Sequence, residues 1–142
     1  MKVIGLDLGE KRIAVAVSDE SGRIALPLAT LSGDRPTTEV IADILNIADH
    51  HGAKKIVVGM PTRLSGEAGP AAQNAAQFAR ALAAETTLPV TTWDERLTTA
   101  LAEKTMISAN VRRRQRRQKI DEVAATLILQ NYLDAHADEP TN

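Results

Sequence analysis

The chain has 142 residues, 44% hydrophobic and 25% charged, with a formal net charge of −1, which is enough for one core and short for two. It has no cysteine, excluding a disulfide framework, a thiolate nucleophile and a Cys-ligated zinc site. Met1-Lys2 leads straight into Val3-Ile4-Gly5-Leu6-Asp7, and no apolar run approaches the ~18 residues of a membrane span, so a cytoplasmic protein is expected.

Val3 to Leu8 alternates, with Val3, Gly5 and Asp7 on one face, and Ile13, Val15 and Val17 repeat that period. Two strands joined through Leu8-Gly9-Glu10-Lys11 predict an antiparallel hairpin. Ile24-Ala25-Leu26 predicts a third strand ended by Pro27 or Leu28. From Pro36 the period becomes helical: Val40, Ile41, Ile44, Leu45 and Ala48 share a face, with Pro36 in the first turn and Gly52 as the stop. Lys55 to Gly59 reads as a strand covered on both faces, reached by a parallel crossover. Met60 to Gly69 reads as loop, Pro70 opens an alanine-rich helix to about Glu85, and Leu88 to Trp93 is a fifth strand.

Thr98 or Thr99 can cap a short helix over Ala100 to Ile107. The last helix is expected from near Gln118 to about Ala137, with Asp121, Ala124, Ala125, Ile128 and Tyr132 on one stripe. These elements make an α/β protein with a five-stranded mixed sheet flanked by helices: strands 1–3 antiparallel, strands 1, 4 and 5 parallel. A single domain over 1–137 and a frayed polar tail over 138–142 complete the expectation.

His50 and His51 are sequence neighbours, lacking the i, i+4 spacing of a helical metal site, and 2% aromatics leave few rings for stacking single strands. Charge is uneven. Arg112, Arg113, Arg114, Arg116, Arg117 and Lys119 place six cations within eight positions, leaving about −7 on the rest. A basic segment on an otherwise acidic domain suits contact with a phosphate backbone. Here it is read as a mobile connecting loop that clamps nucleic acid, with Lys11, Arg12 and Arg96 as secondary contacts or ordinary surface salt bridges.

Three carboxylates come from separate elements that this topology can converge. Asp7 ends the first strand, Glu95 follows the fifth at the sheet edge where ligand crevices form, and Asp121 arrives on the last helix. Singly, each has an ordinary explanation. Asp7 could shape a turn beside Gly9, Glu95 could pair with Arg96, and Asp121 with Glu122 could complement a helix N-terminus. Together, without His or Cys, they make a hard oxygen-ligand site suited to Mg²⁺ or Mn²⁺. With the fourth strand between the first and fifth, Asp7 and Glu95 start about 10 Å apart at ~4.8 Å per strand.

Four ordered blocks carry a family resemblance: Gly5-Leu6-Asp7-Leu8-Gly9-Glu10-Lys11-Arg12-Ile13-Ala14-Val15-Ala16-Val17-Ser18-Asp19, Ile56-Val57-Val58-Gly59-Met60-Pro61, Asp94-Glu95-Arg96-Leu97-Thr98-Thr99, and Lys119-Ile120-Asp121-Glu122-Val123-Ala124-Ala125. With Ile128 to Leu133 they span nearly the whole chain. The sequence resembles the YqgF/RuvX-type family of the ribonuclease H-like superfamily, described both as Holliday junction resolvases and as pre-16S rRNA nucleases. Two departures from the family pattern are visible: Ala14 stands where Gly is usual, and Met60-Pro61-Thr62-Arg63 replaces Leu-Pro-Leu-Asn.

The resemblance implies a ribonuclease H-like fold and makes Asp7, Glu95 and Asp121 the catalytic and metal-binding residues. The expected mechanism uses two ions, Mg²⁺ or Mn²⁺, bridged through Asp7 about 3.5–4 Å apart for in-line attack on phosphorus. The expected activity is metal-dependent hydrolysis of structured RNA in 5′ maturation of 16S rRNA, with a ribosome precursor as partner. A DNA junction resolvase with two sites in a dimer is the alternative. A kinase-like phosphate-binding module would need a second domain, and a non-catalytic ribosome-assembly or nucleic-acid-binding protein would keep function after Asp7→Asn. RNA or DNA preference and oligomeric state stay open.

Overall fold

Strand alternation in this chain sorts side chains by size as well as by polarity, and the sheet is covered accordingly. In the computed structural model, which describes residues 1–9, 11–60, 69–94 and 113–136, β1 (Val3–Leu8), β2 (Arg12–Ser18) and β3 (Ala25–Ser32) form the antiparallel meander. Helix α1 (Thr37–His51) leads to β4 (Lys55–Met60), and α2 (Pro70–Ala84) leads to β5 (Val90–Asp94); β4 is parallel to β1 and β5 to β4. The strand order is β3-β2-β1-β4-β5, so β4 lies between β1 and β5 as expected. Helix α3 (Arg113–Ala135) crosses the sheet; from 113 to 122 only its backbone is described.

The large residues of the central strands, Ile4, Leu6, Ile13, Val15, Val17, Ile56 and Val58, join the core beneath α1 and α2. Their alternates are smaller: Val3, Ala14, Ala16 and Val57 pack with Ala125, Leu129, Tyr132 and Leu133 of α3. Among the described residues, two helices therefore sit on the bulky face and one lies close on the small face. The α1 boundaries follow their signals: Pro36 is the N-cap, and Gly52 takes a left-handed φ of 65° that aims backbone N–H groups at the carbonyls of Ala48 and Asp49.

Three boundaries differ from the sequence reading. β3 continues through Pro27 to Ser32, because it is an edge strand and the pairing shifts register between Val15 and Ala16, whose partners are Ala29 and Pro27. A residue without an N–H is tolerated at an edge or bulge. β5 starts at Val90 because the Leu88 N–H turns to the Thr86 hydroxyl (3.1 Å) and Pro89 contributes only its carbonyl, to Ile56 N–H. The last helix begins at Arg113, five residues before the expected Gln118. Arg, Gln and Lys are good helix formers, so the segment read as a mobile loop is helical backbone from Arg113 onward. The short helix expected over 100–107 and the tail over 138–142 lie outside the described residues.

Candidate active site

Asp7 is the penultimate residue of β1, half-buried, on the sheet face that α3 covers. Its cross-strand partner is Ala14 of β2, so the departure from the family's usual glycine sets one methyl group directly beside the carboxylate. On the other side, the β1–β4 register, Leu6 to Val58, carried one residue further brings Gly59 level with Asp7. The carboxylate thus stands between two small residues at the C-terminal end of parallel strands.

Gly5, two positions earlier on the same face, fixes how close α3 comes. A Cβ added there would lie 2.8 Å from Leu129 Cβ. This close-approach role was missed from the sequence, although a glycine inside a strand of β-branched and large residues is its usual signal. The helix runs antiparallel to β1. At its C-terminal end Tyr132 receives the Lys55 ammonium over its ring at 4.9 Å, and Gln130 accepts from Ala25 N–H (2.9 Å) and donates to the Arg23 carbonyl (2.8 Å), all at the end of the sheet where β1 begins. Moving from Leu129 back one turn to Ala125 covers about 6 Å at 1.5 Å per residue, nearly the distance from Gly5 to Asp7 at ~3.3 Å per residue. Asp121 occupies the helical position one further turn toward Asp7's end of the sheet.

Glu95 follows Asp94, the last residue of β5, which pairs with Met60 of β4. Glu95 itself, Arg96 and Arg112 lie outside the described residues. For Asp121 and for Arg113, Arg114, Arg116, Arg117 and Lys119, the helical backbone alone is described. Among the described residues no group of three or more His, Asp or Glu side chains is clustered, since Asp7 is the one member of the expected set with a described side chain. Lys11 and Arg12 are exposed at the start of β2, in the hairpin that follows Asp7. Trp93 is half-buried against the core on the α3 face, edge-on to Tyr132 at 5.6 Å.

The donor chemistry is that of a hard cation. Aspartate and glutamate offer only oxygens, and no sulfur or imidazole ligand was expected among the set. The two halves of the candidate site also differ in charge. The sheet end and α3 position carry acids, while the helix turns preceding Asp121 carry the concentrated arginines.

The sheet order and helix placement define a ribonuclease H-like fold. Two solved structures share it: the Thermus thermophilus RuvC in complex with Holliday junction substrate (TM-score 0.57, 16% identity, 97% of each chain covered) and the T. thermophilus RuvC structure (TM-score 0.53, 14% identity, 98% of each chain). More specifically, the chain belongs to the RuvX family, described as Holliday junction resolvase, which it matches over residues 1–135. Relatives carrying the name "Putative pre-16S rRNA nuclease" include those of Desulforudis audaxviator, 44% identical over 95% of each chain, and Symbiobacterium thermophilum, 45% identical over 99% of this chain and 96% of the relative. A third, from Geobacillus sp. strain WCH70, is 46% identical over 95% of this chain and 99% of its own.

Proposed function

We propose that the chain is a metal-dependent nuclease that hydrolyses phosphodiester bonds in structured RNA, trimming the 5′ end of a 16S rRNA precursor in the cytoplasm. The observation that carries this reading is Asp7, held at the C-terminal end of β1 between small neighbours under a helix that rises toward Asp121. Relatives of about 45% identity carrying a pre-16S rRNA nuclease name support the choice of substrate.

Asp7, Glu95 and Asp121 are the residues that would hold the divalent cations, read here as two, Mg²⁺ or Mn²⁺. Such ions supply Lewis-acid stabilisation of the charge that develops on phosphoryl oxygens. The chain's own residues do the rest. Ionised Asp7 has acceptor oxygens and no donor, so its part is to bind cation, and the small residues flanking it leave space for a phosphate to approach. The cations of the first turns of α3, with Lys11 and Arg12 on the hairpin, draw the nucleic-acid backbone to an acidic site that would otherwise repel it.

The test is cleavage of a 5′-extended 16S precursor and of a four-way DNA junction by wild type and Asp7→Asn, with Mg²⁺ or Mn²⁺ and with chelator. Metal-dependent removal of the RNA extension, abolished by the substitution, is the expected result. Selective cutting of the junction would favour the second reading, a resolvase, which the family's description supports and which requires a dimer with two sites. Binding of both substrates without cleavage would leave a non-catalytic assembly factor.

A further inference from the structure

Three contacts in the last two turns of α3 tie it across the sheet: a pivot, a tether on one side and a brace on the other. Leu129 is the pivot. It bears on Gly5 of β1, where an added Cβ would stand 2.8 Å from Leu129 Cβ, so the two elements have no slack at that point. Gln130, the next residue, is the tether: it binds Ala25 N–H (2.9 Å) and the Arg23 carbonyl (2.8 Å) beside β3, one edge of the sheet. Tyr132 and His136 point the other way and meet Trp93 of β5, the opposite edge strand, at ring-centroid distances of 5.6 and 5.8 Å.

The brace is built of rings held from several sides. Trp93 stands edge-on to Tyr132, at 90°, a favourable aromatic arrangement. His136 stacks on Tyr132 at 4.1 Å and donates from Nδ1 to the Tyr132 carbonyl (2.8 Å). Trp93 also shares Asp7's row of the sheet: Ala14, Asp7 and Gly59 lie level across β2, β1 and β4, and Gly59 pairs with Trp93. Gly59 has no side chain, which leaves the indole room to lean toward α3.

Toward Asp121 the grip is weaker, because the buried side chains there, Ala124 and Ala125, are single methyl groups. At 1.5 Å per residue Tyr132 and His136 lie about 4.5 and 10.5 Å from the pivot, and Asp121 about 12 Å on its other side. Each ångström that the braced end moves toward β5 therefore carries Asp121 roughly 1–3 Å toward β3.

We propose that Trp93 is a positioning residue: it blocks the swing of α3 about Leu129 and so keeps Asp121 in line with Asp7. The swing is a property of the fold, and its consequence for metal binding rests on the nuclease reading.

Two measurements on the full chain test this, and neither is activity. The chain has no cysteine, so spin labels at Ser32→Cys, exposed at the end of β3, and Lys119→Cys, two residues before Asp121, report the swing as a distance. Trp93→Leu should shorten and broaden that distance, and Trp93→Phe, which keeps a flat ring, should return it toward wild type. His136→Ala, at the helix end, should shorten it less and serves if Trp93→Leu does not fold. A distance unmoved by these substitutions overturns the proposal. In the unlabelled chain, Mn²⁺ binding, followed by the ion's own paramagnetic signal, should weaken roughly tenfold in Trp93→Leu and recover in Trp93→Phe. A role in stability alone would lower the melting temperature of Trp93→Leu and move neither measurement. A swing that leaves Mn²⁺ affinity unchanged overturns the positioning role. Wild type that binds Mn²⁺ no better than Asp7→Asn would sink the metal-dependent nuclease reading, and the distance would then decide the brace by itself.

Discussion

Gly5 sets how closely α3 lies on β1, the strand that carries Asp7. Gly5→Ala puts a methyl carbon where Leu129 already stands at 2.8 Å, and overpacking of this kind costs about 1–3 kcal/mol. The urea midpoint should fall with the m-value unchanged, and Gly5→Ala/Leu129→Gly, which removes the clashing Cβ, should lose less than the two single losses combined; strict additivity would show that the contact does not set the spacing. Asp7 makes the opposite demand. If Asp7, Glu95 and Asp121 gather as proposed, they repel one another without a cation, and Asp7→Asn should match or exceed wild type in melting temperature under chelator while losing cleavage. Mg²⁺ should then raise the melting temperature of wild type, by about 2.7 kcal/mol of stability at a hundred times its dissociation constant, and leave the variant nearly unmoved. An equal rise in both would remove Asp7 from the metal site.

At the scale of elements, the β2–β3 hairpin is pinned by one aspartate. Asp19 accepts from the Ser21 hydroxyl (2.7 Å) and from the N–H groups of Arg23 (3.0 Å) and Ile24 (3.2 Å), which hold its carboxyl below the ordinary value near 3.8. A depressed folded-state value means that this stabilisation is present above the unfolded-state value and is lost as pH falls through the folded-state one. Urea midpoints should drop more steeply below pH 4 for wild type than for Asp19→Asn; parallel curves would show that the turn does not feel the charge. Elements governed by local pattern were legible in the sequence: α1 between Pro36 and Gly52, and the alternation that placed Asp7 with Val3 and Gly5. Those governed by tertiary context were not. Pro27 reads as a strand end until the sheet order makes β3 an edge, and Arg113 to Lys119 reads as a charged connector until helix propensity is weighed. Of the candidate site, the position of Asp7 near the C-terminal end of the first strand was readable. The approach of α3 was not, because the contact that sets it joins Gly5 to a residue more than a hundred positions away.

For the molecule as a whole, the question is whether the basic segment acts by total charge or by position. If all six cations met single-stranded phosphates, log K would fall with log salt at a slope of about −4, at roughly 0.7 per contact. A flexible segment would treat its cations as interchangeable. A helix from Arg113 to Ala135 does not, because at about 100° per residue Arg114 and Arg117 fall on the same side as Asp121, while Arg116 and Lys119 fall near the opposite side. Arg114→Gln/Arg117→Gln and Arg116→Gln/Lys119→Gln remove the same charge, so any general attraction weakens equally in both. The first pair should lower the magnitude of the salt slope by about 1.4, two contacts' worth, and raise KM for the RNA precursor. The second pair should change either quantity little. Equal losses from both pairs, measured as RNA affinity across a salt series, would mean that the segment binds as an unstructured cloud of charge and that its helical phase has no part in bringing phosphate to the acidic strand end.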